Sequence, residues 1–591
     1  MFKNKIQQAS TLQQHGQFDL AADMYQSIIK VNAYHFDALQ LWGALEGQRG
    51  NLEFALTLLN RALDINQNSW VALSNRANIH LQLGKLHAAL RDVERAGHYN
   101  PQSADVHDTH GSVLLAFGRA AQAQAAFERA IELQSGRVSS LVNRASALYA
   151  QGRLEEASTD IHAAMGCGAR AYPQAYVVFG NVLVALDRAQ EAIEPYRCAL
   201  ALSPHFLPAH IGLGTARLAL NELDEAAGTF AAARASLNAS ETSVQQIDAE
   251  HYGRRDEAMA TLAFYEGMVH LAAGNLPKGW ELYEQRWAIN RGPFVPRHDE
   301  VPRWQGTSLR GKTILLHSEQ GLGDTLQFVR YVPLIAAMGA KVVLVVQPPL
   351  VTLLSQLQGI CTVVNGDDRD AVGAAVGGYD FCCPLMSLPR LLDQDMASLD
   401  NTPYLKASGM RREFWTHQIN RRGSLSVGVV WQGSHEHQND RKRSIPFSSF
   451  SQLLIEGADF HCLQIESLPD SGVRSHKGKM IRYWEKDIRD FTDTAEIISL
   501  LDLVITVDTS VAHLAGAMGK PVWLLVTYSP DWRWFLNRND SPWYQKMRIF
   551  RQPVPGDWSS VLTAVRDALN EYRVLRGEAP RLIDGQEDFL A

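Results

Sequence analysis

The sequence lacks the features that mark membrane, exported or nucleic-acid-binding proteins. In its 591 residues no apolar run approaches the roughly 20 residues of a membrane-spanning helix. The first residues, Met-Phe-Lys-Asn-Lys-Ile-Gln-Gln, lead into a polar helix and not into the apolar stretch of a signal peptide. The formal net charge of −7 argues against nucleic acid as the main partner. We therefore expect a cytoplasmic chain without a membrane span.

Cysteine is scarce as well. The six cysteines are Cys167, Cys198, Cys361, Cys382, Cys383 and Cys462. Their spacing matches neither a zinc site nor a disulfide framework, so we expect reduced thiols. Hydrophobic residues make up 46% of the chain and charged residues 20%, which is typical of a globular protein and not of a disordered one. A chain of this length is expected to form two or more domains.

What the sequence does contain is a repeat in its first 240 residues. Five glycines follow one another at intervals of 34 residues: Gly16, Gly50, Gly84, Gly118 and Gly152. A small residue precedes each of them by seven positions and another follows by five, and after a one-residue insertion the pattern resumes. Small residues at this period let two helices cross closely, so residues 1–240 are predicted to form seven helix pairs of the tetratricopeptide-repeat (TPR) type. The concave face of such an array binds an extended peptide or a partner protein; the alternative is a scaffold for homo-oligomerisation.

Downstream of the array the pattern changes to short apolar strands that alternate with helices. Residues 241–311 are predicted as a degenerate eighth repeat followed by a linker. The alternation then predicts one doubly wound lobe at 312–422 and a second at 423–576, with a tail at 577–591. The predicted fold class is a multidomain α and α/β protein, in which a TPR α-solenoid precedes two Rossmann-like lobes. Two such lobes form the GT-B architecture of glycosyltransferases, but a fold alone does not establish a function.

The chemistry is expected where a strand ends and a helix begins. In the second lobe, Asp508-Thr509-Ser510 joins an apolar strand to a helix, and His513 lies about one turn further on. The free N–H groups and the positive dipole end of such a helix suit a diphosphate, and Thr509 and Ser510 add hydroxyl donors. Asp508 would repel phosphate, so it is interpreted as the helix N-cap or as a partner of His513. A capped helix with a solvated histidine is the alternative interpretation.

The segment from Asp490 to Ala517 resembles the nucleotide-sugar segment of bacterial lipopolysaccharide heptosyltransferases. In that family an acidic–hydroxyl–Gly-x-x-His motif contacts the donor phosphates; here Ser510 stands in place of the glycine. With the upstream array, residues 264–573 look like the TPR-linked bacterial glycosyltransferases related to that family. The shared motifs are Gly-Trp-x-x-Tyr-Glu-x-Arg (Gly279–Arg286), Glu-Gln-Gly-Leu-Gly-Asp (Glu319–Asp324) and Trp-Arg-Trp (Trp532–Trp534). The layout is also similar to protein O-GlcNAc transferase, whose own catalytic motifs do not map onto this chain, and to bacterial enzymes that glycosylate flagellin.

In the first lobe, Gly321-Leu322-Gly323-Asp324 follows the first strand and is predicted to face the cleft. Gly321 and Gly323 would let the backbone approach a ligand closely. The resemblance to heptosyltransferases implies that Asp324 is the general base that deprotonates the acceptor hydroxyl. The stretch Asp324-Thr325-Leu326-Gln327 also has the pattern of a helix capping box, which is the structural alternative.

The other candidate residues lie in the second lobe. Arg443 in Lys442-Arg443-Ser444 falls in the region that matches the basic segment of the heptosyltransferases, and it would offset charge on the departing nucleotide diphosphate. We favour Arg443 over Lys442 because a guanidinium binds phosphate in a bidentate manner; a solvated basic loop is the alternative. The remaining candidates for binding the nucleotide or sugar are Trp431, Gln432, Gln464, Trp532 and Arg533. Core packing is the alternative for the aromatic rings.

Two clusters resemble metal sites. Asp368-Arg369-Asp370 is far in sequence from the predicted phosphate segment, and His435-Glu436-His437 lacks further ligands. We therefore expect no metal and no cofactor other than the nucleotide-sugar substrate. The expected function is transfer of a sugar to Ser or Thr of a protein acceptor held by the TPR array, with flagellin as a candidate. The alternatives are a glycan-directed enzyme of the heptosyltransferase type and a non-catalytic nucleotide-sugar-binding adaptor.

Overall fold

The computed structural model describes residues 2–239, 255–289, 301–368, 378–419, 425–434, 439–465, 472–476 and 479–578. The chain divides into two compact units, Met1–Glu266 and Gly267–Ala591. This division falls inside a helix, α15 (Arg255–Ala272). The boundaries predicted at 240, 311 and 422 stay predictions.

The first unit is built from consecutive helix pairs, as the 34-residue period predicts. Over residues 2–239 the structure has fourteen helices: α1 (Phe2–Gln14), α2 (Phe18–Val31), α3 (Phe36–Gln48), α4 (Leu52–Ile65), α5 (Trp70–Gln82), α6 (Leu86–Tyr99), α7 (Ala104–Ala116), α8 (Ala120–Leu133), α9 (Val138–Ala150), α10 (Leu154–Gly166), α11 (Pro173–Ala185), α12 (Ala189–Leu202), α13 (Leu207–Ala219) and α14 (Leu223–Ala239). Each odd-numbered helix packs on the even-numbered helix that follows it. The prediction of a helical TPR array is therefore confirmed.

The turn inside each pair needs one residue in the left-handed region. In the first five pairs this residue is the repeating glycine, with φ between +70° and +80°. In the last two pairs Asp187 and Asn221 hold the same place with φ of +61° and +62°. Aspartate and asparagine tolerate this conformation better than other residues with a side chain, so the turn persists where the glycine is lost.

The two helices of a pair interlock at positions 16 residues apart. A Cβ built on Gly111 would lie 2.5 Å from the Phe127 ring, and one on Gly180 would lie 2.5 Å from Tyr196. Where the first position is alanine instead, as at Ala145, the partner is the smaller Ile161, and both are fully buried. Removing a side chain from one helix thus makes room for a large ring on the other, which is close packing at a fixed register.

The second unit contains two parallel sheets with intervening helices. The first sheet has the order β3-β2-β1-β4, and all of its neighbouring strands are parallel. Its elements follow α15 in this order: α16 (Leu276–Tyr283), β1 (Thr313–His317), α17 (Leu322–Phe328), α18 (Val332–Ala337), β2 (Lys341–Val346), α19 (Val351–Leu354), β3 (Ile360–Asn365), β4 (Phe381–Pro384) and α20 (Leu388–Leu391). The strands are short apolar runs, as expected for a parallel sheet that is covered on both faces.

The second sheet has seven strands in the order β11-β10-β9-β5-β6-β8-β7, of which only β7 is antiparallel to its neighbour. Its elements are α21 (Arg412–Gln418), β5 (Leu425–Val430), α22 (Asp440–Arg443), α23 (Phe447–Phe450), β6 (Ala458–Cys462), β7 (Gly472–His476), β8 (Lys479–Tyr483), α24 (Phe491–Leu500), β9 (Leu503–Val507), α25 (Ser510–Ala517), β10 (Val522–Val526), β11 (Met547–Arg551) and α26 (Trp558–Glu578). The predicted α/β character is confirmed. Strands β7, β8 and β11 were not predicted.

The chain reaches the second sheet before its first strand there. The backbone N–H groups of Tyr404 and Leu405 both donate to the carbonyl oxygen of Ala517, at the end of α25. Further along, the Trp415 indole N–H donates to Asp493 on α24 at 3.0 Å. Residues 404–418 therefore pack on helices of the second sheet, although the sequence analysis assigned them to the first lobe.

A search of the described helices finds none that is long and apolar enough to cross a membrane.

Candidate functional site

The first half of the site is the turn between β1 and α17. Helix α17 begins at Leu322, with Gly321 in an extended conformation just before it. The Gly321 N–H donates to Oδ2 of Asp324 at 2.9 Å. Asp324 therefore caps the helix from inside its first turn and is not its first residue. The predicted capping box that starts at Asp324 is wrong, because the helix begins two residues earlier, whereas the capping function of the side chain is present.

The second half is the junction between β9 and α25. Thr509 is the N-cap residue, with φ of −142°, but its side chain makes no capping hydrogen bond. Its hydroxyl lies 3.1 Å from that of Thr506 instead. The first N–H groups of α25, beginning at Ser510, are thus left without a side-chain cap. This is the arrangement that binds an anion at a helix start.

Asp508 takes neither of the two roles predicted for it. The N-cap position belongs to Thr509, and the hydrogen-bond partner of the His513 ring is Tyr544, at 2.8 Å. Burial and the neighbouring Asp531 carboxylate raise the pKa of Asp508 to about 6. Part of the population therefore carries a proton on this carboxyl near neutral pH, which reduces its repulsion of a phosphate.

The two halves meet at a glycine. A Cβ built on Gly323 would lie 2.9 Å from Cδ2 and 3.5 Å from Nε2 of His513, and 3.7 Å from the Cα of Ser510. Such a side chain would collide with the imidazole ring, so only glycine allows α17 and α25 this approach. Two motifs that are almost 190 residues apart in the sequence are thereby brought into contact.

Arg533 joins the two halves by charge. Its Nη2 donates to Oδ1 of Asp324, while its Nη1 donates to Asp531 at 2.8 Å and its Nε to Gln327 at 2.6 Å. The side chain is 6% exposed, and each of its three nitrogens has a protein partner. The prediction that Arg533 binds the nucleotide or sugar is therefore not supported: the guanidinium holds the Asp324 carboxylate instead.

Arg443 is directed at the same helix start. Its Nη1 donates to the backbone carbonyl of Asp508 at 3.0 Å, and its Nε lies 3.6 Å from the Asp440 carboxylate. The guanidinium packs over Gly433, where a Cβ would lie 2.5 Å from Nη2. The turn after β5 thus lacks a side chain at the place where Arg443 crosses it. This position, next to the first residues of α25, suits the predicted role of offsetting phosphate charge.

The remaining predicted ligand residues are divided between core and strand end. Trp431 is 3% exposed, with ring centroids 4.8 Å from Phe447 and 5.4 Å from Phe450. Gln464 accepts a hydrogen bond from the backbone N–H of Trp431 at 2.8 Å. The indole of Trp431 and the amide of Gln464 therefore serve the core, which corrects their predicted role. Gln432 is half-buried at the carboxyl end of β5.

Trp532 is also a core residue and not a stacking platform. Its ring lies 5.1 Å from that of Trp280 at 90°, and 6.1 Å from that of Trp543. The guanidinium of Arg533 covers it at 4.2 Å. The alternative of core packing thus holds for this ring, because two other tryptophans and an arginine exclude a nucleotide base from it.

The motif Gly279–Arg286 acts as a brace for the turn that carries Gly321 and Asp324. Arg286 is fully buried and donates to both oxygens of Glu319, at 2.9 and 3.1 Å. Glu319 also accepts from the backbone N–H of Met386 at 3.1 Å, beyond the end of β4. A buried charge that is paired at two points fixes geometry strongly, so the start of the loop is held from two sides.

Neither predicted decoy gives a metal site that can be described. Asp368 is in a described stretch, whereas Arg369 and Asp370 lie outside the described residues, as do His435, Glu436 and His437. Among the described residues no group of three or more His, Cys, Asp or Glu side chains is arranged to hold a metal ion.

Several residues of the site were missed by the sequence analysis. They are Tyr544 beside His513, Asp531 and Gln327 beside Arg533, and Trp534, whose ring lies 5.2 Å from the His513 ring. Asp531 and Trp534 flank a motif that was recognised, so its immediate neighbours offered a signal. Tyr544 had none, since it lies 31 residues beyond His513.

Comparison with known proteins confirms the repeats. A tetratricopeptide-repeat family model matches residues 109–164 and 177–240. Protein FlbA of Caulobacter vibrioides is 26% identical over 464 residues, which cover 73% of this chain and 72% of that protein. The chain is therefore a TPR protein that is similar to FlbA over most of the length of both.

Solved structures of other repeat proteins are also similar to part of the chain. A tetratricopeptide-repeat protein from Parabacteroides merdae is 16% identical with a TM-score of 0.34; the match covers 44% of this chain and 98% of that one. A thermophilic TPR protein from Thermus thermophilus is 20% identical with a TM-score of 0.29, covering 31% of this chain and 99% of that one.

Proposed function

We propose that the second unit is a metal-independent glycosyltransferase of the GT-B type, which transfers a sugar from a nucleotide-sugar donor to a Ser or Thr hydroxyl. The observation that supports this most is the contact between Gly323 and His513. It brings the Asp324 carboxylate close to the uncapped helix start at Ser510. Both groups follow the carboxyl end of a parallel strand, which is where open α/β sheets bind nucleotides.

In the proposed reaction Asp324 accepts the proton of the acceptor hydroxyl. The acceptor oxygen forms a bond to the anomeric carbon, and the bond from that carbon to the diphosphate oxygen breaks. The nucleotide diphosphate leaves with the bonding electron pair. The N–H groups at the start of α25 and the Arg443 guanidinium, which lies beside Asp508, offset the charge that develops on it.

The TPR array is proposed to hold the protein acceptor. Helix-pair arrays of this kind bind extended peptides and partner proteins, and seven pairs offer a long surface for one. Flagellin is the first acceptor to test, because the layout of the chain is similar to that of enzymes that glycosylate it.

The test combines donor and acceptor screening. The purified chain is incubated with UDP-GlcNAc, ADP-heptose or a CMP-linked nonulosonic acid, with and without flagellin, and the intact mass of the acceptor is measured. The expected result is a mass increase of one or more sugar residues with one donor class, unchanged by EDTA. Loss of transfer with EDTA that only a divalent ion restores would contradict the metal-independent mechanism.

One observation favours a second candidate, a non-catalytic nucleotide-sugar-binding adaptor. Both oxygens of Asp324 have protein partners, Arg533 on Oδ1 and the Gly321 N–H on Oδ2. A carboxylate held in this way is a poor base unless the acceptor competes for it. Donor binding without hydrolysis or transfer, with any of the three donors, would favour the adaptor; slow donor hydrolysis would favour the enzyme.

A further inference from the structure

The imidazole of His513 is held on three sides. Its Nδ1 lies 2.8 Å from the hydroxyl oxygen of Tyr544, and its ring lies against the Trp534 ring with centroids 5.2 Å apart at 31°. Its Cδ2–Nε2 edge faces the backbone of Gly323. The ring therefore has one defined orientation, with Nε2 on the side where α17 meets the start of α25.

The Tyr544 hydroxyl determines which ring nitrogen carries the proton. This phenol is 1% exposed, and burial raises its pKa well above the usual range, so it keeps its proton. The neighbouring guanidinium of Arg330, 5.0 Å from the Tyr544 ring centroid, is a donor and cannot accept that proton. The hydroxyl of Tyr404 donates its own proton to the Leu326 carbonyl at 2.8 Å. Nδ1 of His513 is thus the acceptor, which leaves the ring proton on Nε2.

The surroundings also favour the uncharged ring. The charged and titratable groups on the elements packed against His513 are Arg330 and Asp324 around α17, Asp531 and Arg533 after β10, Tyr544 before β11, and Asp508 at the start of its own helix. The Asp324 carboxylate is taken by Arg533. Burial, Arg533 and Arg330 hold the pKa of His513 well below its usual range.

We propose that His513 is a neutral imidazole with its proton fixed on Nε2 by the Tyr544 hydroxyl, and that this N–H donates to the diphosphate of the nucleotide sugar at the start of α25. Tyr544 is then a positioning residue that acts through His513. This inference rests on the proposed function for the identity of the anion, whereas the state of the ring does not depend on it.

The state of the ring is tested first, without any ligand. Two-bond proton–nitrogen correlation spectra of the full chain with nitrogen-15-labelled histidine distinguish the Nε2–H form, the Nδ1–H form and the imidazolium. His513 is assigned among the 20 histidines by the signal that disappears in His513→Gln. The expected pattern at pH 7 is the Nε2–H form. The imidazolium or the Nδ1–H form would overturn the proposal.

The role of Tyr544 is tested by removing single hydroxyl groups. Tyr544→Phe deletes the partner of Nδ1, so the ring is expected to populate both neutral forms. Tyr404→Phe is the matched control, because it deletes a buried-cluster hydroxyl that touches Arg330 but not His513. An unchanged Nε2–H pattern in Tyr544→Phe would overturn the positioning role, as would an equal change in both variants.

The contact with the diphosphate is tested by two amides of different length. Glutamine places its N–H₂ near the position of Nε2, and asparagine places it near Nδ1. Binding of UDP-GlcNAc and ADP-heptose is measured by calorimetry between pH 5.5 and 8, where their diphosphates stay fully ionised. We expect His513→Gln to bind within a few-fold of wild type and His513→Asn about ten-fold or more weaker, since a hydrogen bond to a charged group is lost. We also expect wild-type affinity to stay nearly constant with pH.

The outcomes separate the two claims. Wild-type affinity that rises steeply toward pH 5.5, or equal losses in the glutamine and asparagine variants, would overturn the neutral donor while nucleotide-sugar binding stands. A wild-type protein that shows the Nε2–H pattern but binds neither nucleotide sugar would overturn the diphosphate contact and count against the proposed donors.

Discussion

At the residue scale the site depends on how Arg533 divides its charge. The guanidinium contacts two carboxylates, Asp324 and Asp531, which belong to different sheets of the second unit. Such a buried pair is strongly destabilised when one partner is removed, because a charge is left uncompensated. The same contact serves structure and, if the proposed mechanism holds, restrains the base.

Substitution of the two carboxylates separates these contributions. Asp324→Asn and Asp531→Asn each remove one negative charge from Arg533, so both are expected to lower the melting temperature. Only Asp324→Asn is expected to lower turnover by roughly 10²-fold with donor affinity near wild type, because only Asp324 is proposed as the base. Melting curves, donor calorimetry and transfer rates check this. Equal turnover losses in the two variants would assign Asp324 a purely structural role.

Asp508 gives a pH-dependent prediction with a definite sign. Its folded-state pKa of about 6 is raised from an ordinary value of 3.8, so folding favours its protonated form. The contribution to stability is therefore complete below pH 3.8 and is lost as the pH rises through 6. Asp508→Asn should raise the free energy of unfolding by about 1–3 kcal/mol at pH 8 and by nothing near pH 4. Urea denaturation at both pH values measures it; a gain of equal size at pH 4 would contradict this assignment.

At the scale of elements, the join between α17 and α25 depends on the missing side chain of Gly323. A methyl group there would lie 2.9 Å from the His513 ring, which Tyr544 and Trp534 prevent from moving away. The helices would have to separate by a few tenths of an ångström. Because Asp324 is the next residue on α17, its distance from the start of α25 would increase as well.

Gly323→Ala is therefore expected to cost about 1–3 kcal/mol of stability and to lower transfer further than donor binding. Gly321→Ala is the matched control in the same turn, since a Cβ there meets only Oδ2 of Asp324, at 3.3 Å. Denaturant melts and transfer rates of the two variants are compared. Similar behaviour of both would mean that the close approach of the helices is not what the glycine provides.

At the scale of the whole molecule, the two units are expected to contribute separate functions. The helix array has no group of the proposed transfer chemistry, and the described catalytic candidates all lie beyond residue 320. Damage to the array should therefore reduce modification of a protein acceptor while donor chemistry persists.

Gly111→Val tests this division of functions. Its side chain would meet the Phe127 ring at a Cβ distance of 2.5 Å and would disturb the packing of α7 on α8. Gly228→Ala is the control, because a Cβ at that helical position meets nothing within 4 Å. We expect Gly111→Val to lose most transfer to a protein acceptor while donor hydrolysis stays within a few-fold of wild type. Full transfer by Gly111→Val would place the acceptor elsewhere and favour a glycan acceptor.

The sequence by itself determined the features that depend on local spacing. The period of 34 residues, the turn glycines and the apolar strands were readable because each is encoded within one helix pair or one run of residues. The same applies to Asp324 and Ser510, which follow predicted strands directly. Strands β7, β8 and β11 were not readable in this way, since β7 and β11 are at the two edges of the sheet and their sequences mix polar with apolar residues.

Only the tertiary structure decided which side chains face the site and which face the core. Trp431 follows a strand end exactly as a ligand residue would, but Phe447 and Phe450 bury it. Phe535, beside the Trp-Arg-Trp motif, has φ of +48°, a strained value that no sequence rule assigns to phenylalanine. The partners of His513 and Arg533 come from segments 31 and 209 residues away. Contacts at such separations depend on how the helices and sheets pack, and a local pattern carries no information about that packing.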